Sequence, residues 1–181
     1  NKTIKIAYAG RLLKDKGLIW LFEAYKKAKN KYKNISLYIA GPFDSKNPSA
    51  IPENEFKKLT RTKGIYYLGD IKNIKDFWKN INIAILLSKR EGLPMSLMEA
   101  AATGRAIIST DVTGSREIAV NGYNALLVKP GNISEITNAM IKLAKNKKLR
   151  RKYALNSRKL VESDLKLEHI CNQYYRLYNK K

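Results

Sequence analysis

Residues 83–110 read IAILLSKREGLPMSLMEAAATGRAIIST. The apolar run Ile83 to Leu87 predicts a strand, and the polar loop Ser88 to Leu93 follows it. Pro94 suits the first turn of a helix that runs to about Thr103, where Gly104 stops it. Ala106 to Ser109 predicts another strand. Two nearly all-apolar strands joined by one helix indicate a parallel sheet buried on both faces.

The same alternation extends in both directions. Upstream, Ile4 to Ala9 predicts a strand ending at Gly10, and Leu18, Leu21, Phe22, Tyr25 and Ala28 recur at helical spacing. Ile35 to Ala40 predicts a second strand stopped by Gly41-Pro42, with a polar loop from Phe43 to Pro52. A short helix near Glu53 to Arg61, a strand Ile65 to Leu68 and a helix Asp76 to Asn80 lead back to the opening stretch. Downstream, Ala125 to Val128 predicts a sixth strand. After Pro130-Gly131 the period is helical: Asn132 or Ser134 caps a helix with Ile136, Met140, Leu143 and Ala144 inward, and helices follow near Lys148 to Ser157 and Leu167 to Tyr178. The expectation is one α/β domain over residues 1–181, Rossmann-like and three-layered, with a mostly parallel six-stranded sheet and a helical tail from about residue 132.

With 181 residues and 44% apolar composition, the chain can bury a sizeable core. No apolar run is long enough to span a bilayer, and Asn1-Lys2-Thr3 leads straight into a strand without a signal-peptide pattern. One cysteine, Cys171, excludes an internal disulfide. The charge, 36 basic against 15 acidic residues, has three readings: solvated lysines, attraction to an anionic membrane or phosphorylated substrate, and nucleic-acid binding. The lysines are spread along every segment and no nucleic-acid signature appears, so no nucleic acid is expected.

Ligands of such sheets bind outside the carboxyl ends of the strands, which selects Gly10-Arg11, Gly41-Pro42, Gly69-Asp70, Ser88 to Pro94 and Thr110 to Glu117. No dinucleotide glycine fingerprint follows the first strand and no P-loop is present. The single His169 lies far down the tail, and one His with one Cys cannot assemble a zinc site. In the post-strand loop, Glu91 precedes Gly92, and Glu99 stands inside the helix. The helix's free amides near Met95 and Ser96 favour a phosphate by about 0.3–2 kcal/mol. A carboxylate accepts from both hydroxyls of a sugar diol, each charged hydrogen bond contributing about 1.5–3 kcal/mol. After the first strand, Arg11 and Lys16 stand where both could meet an anion. Solvated surface charge remains the alternative for both groups.

Three ordered motifs resemble the C-terminal domain of retaining GT-B glycosyltransferases, group 1. Gly10-Arg11 with Lys16-Gly17 is similar to the family's G-R-x4-K-G loop, and Glu91-Gly92-Leu93-Pro94 with Glu99-Ala100 to its E-x7-E motif. Thr110 to Ile118, followed by Asn121-Gly122 and Leu126 to Val128, is similar to its third segment. The resemblance implies one half of a GT-B fold. It implies that Arg11 and Lys16 hold the donor diphosphate, that Glu99 binds ribose hydroxyls, and that Glu91 binds the donor sugar. Gly10 and the backbone of Gly92, Leu93, Pro94, Met95 and Ser96 would contact sugar and phosphate, while Leu68 to Ile71 would lie along the nucleobase. No metal and no cofactor is implied. The implied reaction is transfer of a hexose or acetamidohexose, most simply from a UDP sugar, with retention, to a glycan or lipid-linked acceptor in cell-surface polysaccharide or lipopolysaccharide synthesis. The implied setting is cytoplasmic and peripheral to the inner membrane face, an anionic membrane surface being a further expected partner. Two departures stand out, Arg116 at a position commonly small or apolar and Ala125 in place of a glycine. The family's N-terminal acceptor domain is expected as a partner outside this chain, which would be inactive alone. The rivals are an epimerase-like GT-B enzyme and a basic nucleic-acid-binding module.

Overall fold

In a computed structural model, the structure describes residues 3–163 together with Cys171, Tyr175 and Tyr178. The predicted tail helix from Leu167, and His169 with it, lies outside the described residues apart from these last three, which are helical and exposed.

Six strands form one sheet: β1 (Ile4–Ala9), β2 (Ile35–Ala40), β3 (Ile65–Tyr67), β4 (Ile83–Leu86), β5 (Ala106–Thr110) and β6 (Ala125–Val128). Their order is β3-β2-β1-β4-β5-β6, and every pairing is parallel. The apolar runs follow from this arrangement, since helices cover both faces and leave no polar side for most strands. In β4 and β5 every residue is buried.

Over residues 3–163 the helices around the sheet are α1 (Leu18–Lys31), α2 (Glu53–Thr60), α3 (Ile74–Lys79), α4 (Met95–Ala102), α5 (Thr113–Arg116), α6 (Ile133–Lys145) and α7 (Lys147–Ser163). The five predicted inward residues of α1 are all buried, and α1 packs on α6. Asn132, not Ser134, caps α6: its Oδ1 accepts from the Glu135 amide at 3.1 Å while its Nδ2 donates to Glu135 Oε1 at 2.7 Å. On the other side α4 packs against α3 and α7. Helix α7 runs six residues past its predicted end, held by Ser157 Oγ donating to the Arg105 carbonyl at 2.7 Å, by Arg158 donating to the Ala102 carbonyl, and by an Arg158–Glu162 pair. The short α5 was not predicted.

Strand order reverses between β1 and β4. Crevices of doubly wound sheets open at such a point, beyond the carboxyl ends of the strands.

Candidate donor-binding cleft

Two adjoining chambers of about 420 and 380 Å³ occupy that point and share Ala9, Gly10 and Ser96. The first holds Glu99 with Asp70, Ile71 and Lys72; the second holds Arg11, Lys16 and Glu91 with Leu93, Pro94 and Met95. Their lining carries three cations and three carboxylates.

The turn carrying Arg11 and Lys16 is fixed from two sides. Leu12 and Leu13 are buried beneath it. The Leu12 amide donates to the Pro42 carbonyl and the Ile51 amide donates to the Leu12 carbonyl, so the loop after β2 runs alongside. On the other side the Lys89 amide donates to the Asp15 carbonyl at 2.9 Å. A 3-10 turn, Lys14–Lys16, ends at Gly17, whose φ of 74° is left-handed. A Cβ there would also run into the Leu87 carbonyl, so only glycine permits the close passage of the two segments.

Each cation of the second chamber faces a carboxylate. Arg11 Nη1 donates to Asp44 Oδ2 at 2.9 Å with its side chain 54% exposed. Lys16 Nζ donates to Glu91 Oε1 at 2.6 Å, and Ser88 Oγ donates to the same oxygen at 2.5 Å. Ser88 is itself held by Thr110 Oγ1, which donates to its carbonyl at 2.6 Å. Gly114 of α5 packs beneath this loop, where a Cβ would collide with the carbonyl oxygens of Glu91 and Gly92. Tyr8 lines the chamber floor, its hydroxyl donating to the Arg11 carbonyl at 2.5 Å. Burial, reinforced by the charge of Glu91, pushes its phenol far above the ordinary value, so it stays a neutral donor.

In the first chamber Glu99 is half-buried on α4. Desolvation raises its carboxyl above the usual range, and the neighbouring Trp78 indole offsets part of this. Met95 and Ser96 open α4, and first-turn amides have no intrahelical acceptor. Both residues line the second chamber, and Ser96 lines the first as well.

The cleft thus gathers Gly10, Arg11, Lys16, Ile71, Glu91, Leu93, Pro94, Met95, Ser96 and Glu99. Two expected residues lie elsewhere. Leu68, 47% exposed, lines neither chamber but a neighbouring hollow with Lys5, Tyr38, Phe77 and Ile81, which meets the first chamber at Ile71. Period-two alternation along the end of β3 explains this: Leu68 follows Tyr66, whose ring stacks on Tyr38 5.0 Å away. Gly92 is exposed and lines neither chamber; the glycine that close approach demands here is Gly114. Sequence reasoning missed Asp44, Tyr8 and Lys72; the post-strand rule selected Ser88 and Asp70 but gave neither side chain a role. The post-strand rule already pointed beside Asp44, two residues beyond Gly41-Pro42.

The third motif is largely structural. Asn124 Oδ1 accepts from the Val120 amide at 2.8 Å and its Nδ2 donates to the Ile118 carbonyl at 2.9 Å, while Asn121 Oδ1 accepts from the Leu127 amide, which shapes the entry to β6. Arg116, the unusual residue, pairs with Asp111 at 2.6 Å. Among the described residues no three His, Cys, Asp or Glu side chains converge on one point.

Residues 1–160 match the family model described as Glycosyl transferases group 1. The chain belongs to the glycosyl transferases group 1 family. As a group 1 chain it is 29% identical over 179 residues to the capsular polysaccharide biosynthesis glycosyltransferase CapM of Staphylococcus aureus, covering 99% of this chain and 47% of that protein. It superimposes on the C-terminal domain of the group 1 family protein LpcC from Francisella tularensis with a TM-score of 0.80 and 26% identity, covering 92% and 88% of the two chains. Anabaena HepE, solved in complex with UDP, shares the fold at a TM-score of 0.88 and 16% identity, over 99% of this chain and 50% of that one. The chain spans about half the length of the curated relatives it matches. Among the described residues no helix is long and apolar enough to cross a membrane.

Proposed function

We propose that this chain is the donor-binding half of a glycosyltransferase that takes a nucleoside-diphosphate sugar, with uridine as the base. The observation that carries this reading is the pair of joined chambers, each with one glutamate, whose second chamber also holds Arg11 and Lys16. A nucleoside-diphosphate sugar has the matching order of groups: diol, diphosphate, diol. Glu99 accepts from the ribose hydroxyls. The diphosphate lies near the α4 amides, where partial positive charge favours it. Arg11 turns from Asp44 to the phosphates and, with Lys16, steadies the leaving group without a metal. Glu91, fixed through Oε1 by Lys16 and Ser88, accepts from hydroxyls of the sugar and orients the anomeric carbon.

The sugar, a hexose or acetamidohexose, passes with retention to a glycan or lipid-linked acceptor during assembly of a cell-surface polysaccharide. CapM's role in capsular polysaccharide synthesis and HepE's binding of UDP support this assignment. The acceptor site belongs to an N-terminal domain outside this chain, a position that the likeness to the LpcC C-terminal domain supports. Contact with an anionic membrane surface is part of the same proposal, and flotation with anionic against neutral vesicles tests it.

A thermal-shift panel of nucleotides and nucleotide sugars tests the donor. UDP and one UDP sugar should stabilise the chain, and Arg11→Ala with Lys16→Ala should abolish the shift. Equal stabilisation of that double variant would rule out the diphosphate assignment. Acceptor-dependent UDP release by the full-length protein separates transfer from epimerisation.

A further inference from the structure

Trp78 lies on α3, 1% exposed, beside the helix that carries Glu99. Its ring fills the packing next to Phe77, the two centroids 4.9 Å apart. The indole adds a polar N–H, and Trp78 Nε1 is one of two buried side-chain polar atoms among the described residues with no hydrogen-bond partner, Ser115 Oγ being the other. A buried donor left unpaired is a standing cost to the fold. On the neighbouring helix the Glu99 carboxylate lies near enough for the indole to favour its ionised form, although the two are not hydrogen-bonded.

We infer that Trp78 is a positioning residue for Glu99: its indole N–H closes onto the carboxylate when a nucleotide fills the first chamber. The inference rests on the donor-site reading above and deepens it. A carboxylate offers about four lone-pair directions, enough for one N–H and two adjacent hydroxyls together. In the open chamber, water competes for Glu99. A nucleotide expels that water, and the N–H···carboxylate bond strengthens as the local dielectric falls. The bond fixes the rotamer of Glu99 and keeps it ionised, so that both oxygens are aimed at the diol.

The test uses UDP as probe and the full-length protein. In 15N-indole spectra, the Trp78 Nε1–H resonance should move downfield on saturation with UDP, while Trp20 on α1 serves as an internal reference. A Trp78 signal unmoved at saturation would overturn the inference. Trp78→Phe should weaken UDP binding about tenfold at neutral pH and move the acid-side loss of binding to higher pH. Its unfolding temperature should fall modestly, as a small core void requires, and the pH shift of UDP binding is the readout that a purely structural tryptophan would not give. Glu99→Gln distinguishes the two readings. Unchanged affinity in Glu99→Gln would overturn the ribose assignment and this inference with it. Loss in Glu99→Gln with none in Trp78→Phe would overturn the positioning role alone.

Discussion

Lys16 Nζ stands 2.6 Å from Glu91 Oε1, joining the turn after β1 to the loop after β4 across 75 positions of sequence. The Glu91 side chain is 8% exposed and that of Lys16 26%, so each shields the other from water. Lys16→Ala leaves the carboxylate with Ser88 alone and should lower the unfolding free energy by about 1–3 kcal/mol, measured by denaturant titration. A wild-type midpoint would mean that solvent screens the pair.

Asp44 holds the Arg11 guanidinium, which the proposed diphosphate contact would have to take over. Asp44→Asn removes the competitor and should strengthen UDP binding by up to about fivefold, since an exposed pair is worth about 0.2–1 kcal/mol. Stability should hardly change. Weaker binding by calorimetry would indicate that Asp44 itself contributes to holding the donor.

Burial raises the Glu99 carboxyl, and this has two opposite consequences with pH. As pH falls, the folded chain takes up this proton before the unfolded chain does. The group's cost to stability is therefore present at neutral pH and relieved as pH drops through the raised value. Diol binding runs the other way, because the ionised form alone accepts through both oxygens. UDP affinity should fall on acidification, beginning above the ordinary carboxylate range. Glu99→Gln should bind about 1.5–3 kcal/mol more weakly and lose this dependence. Parallel pH profiles for the two proteins would refute the assignment.

Gly114 has no room for a side chain beneath the Glu91–Gly92 carbonyls. Gly114→Ala should displace that loop and cost about 1–3 kcal/mol of stability, as overpacking does. UDP binding should weaken with it, whereas Gly92→Ala, whose Cβ would meet open space, should leave the unfolding temperature alone.

The strands and the inner faces of α1 and α6 could be read from the chain because burial on both sides of a sheet writes an unbroken apolar run. Burial of one helix face likewise writes a 3.6 period. The rule that ligands bind beyond the carboxyl ends of parallel strands then pointed to the loops of the cleft, while the β1–β4 reversal itself came from the structure. The partners of its charges were not legible. Asp44 meets Arg11, and Lys16 meets Glu91, only because two loops pass within hydrogen-bond reach, and no local pattern records that. Helix α5 escaped for another reason: four residues containing Thr, Gly and Ser carry neither a period nor a helical preference. The third strand reads one residue too long, through Leu68, and the alternation that puts Leu68 on the Tyr66 side went unused.

The cleft lining balances its three cations against three carboxylates although the chain as a whole carries a net charge of +21. In the proposed donor site a diphosphate would exchange ionic partners within a locally neutral lining, so salt should weaken nucleotide capture only as far as it screens the field of the whole chain. Any partner recruited by the outlying lysines would instead dissociate steeply as ionic strength rises. A simple salt series would separate the two kinds of recognition within one polypeptide.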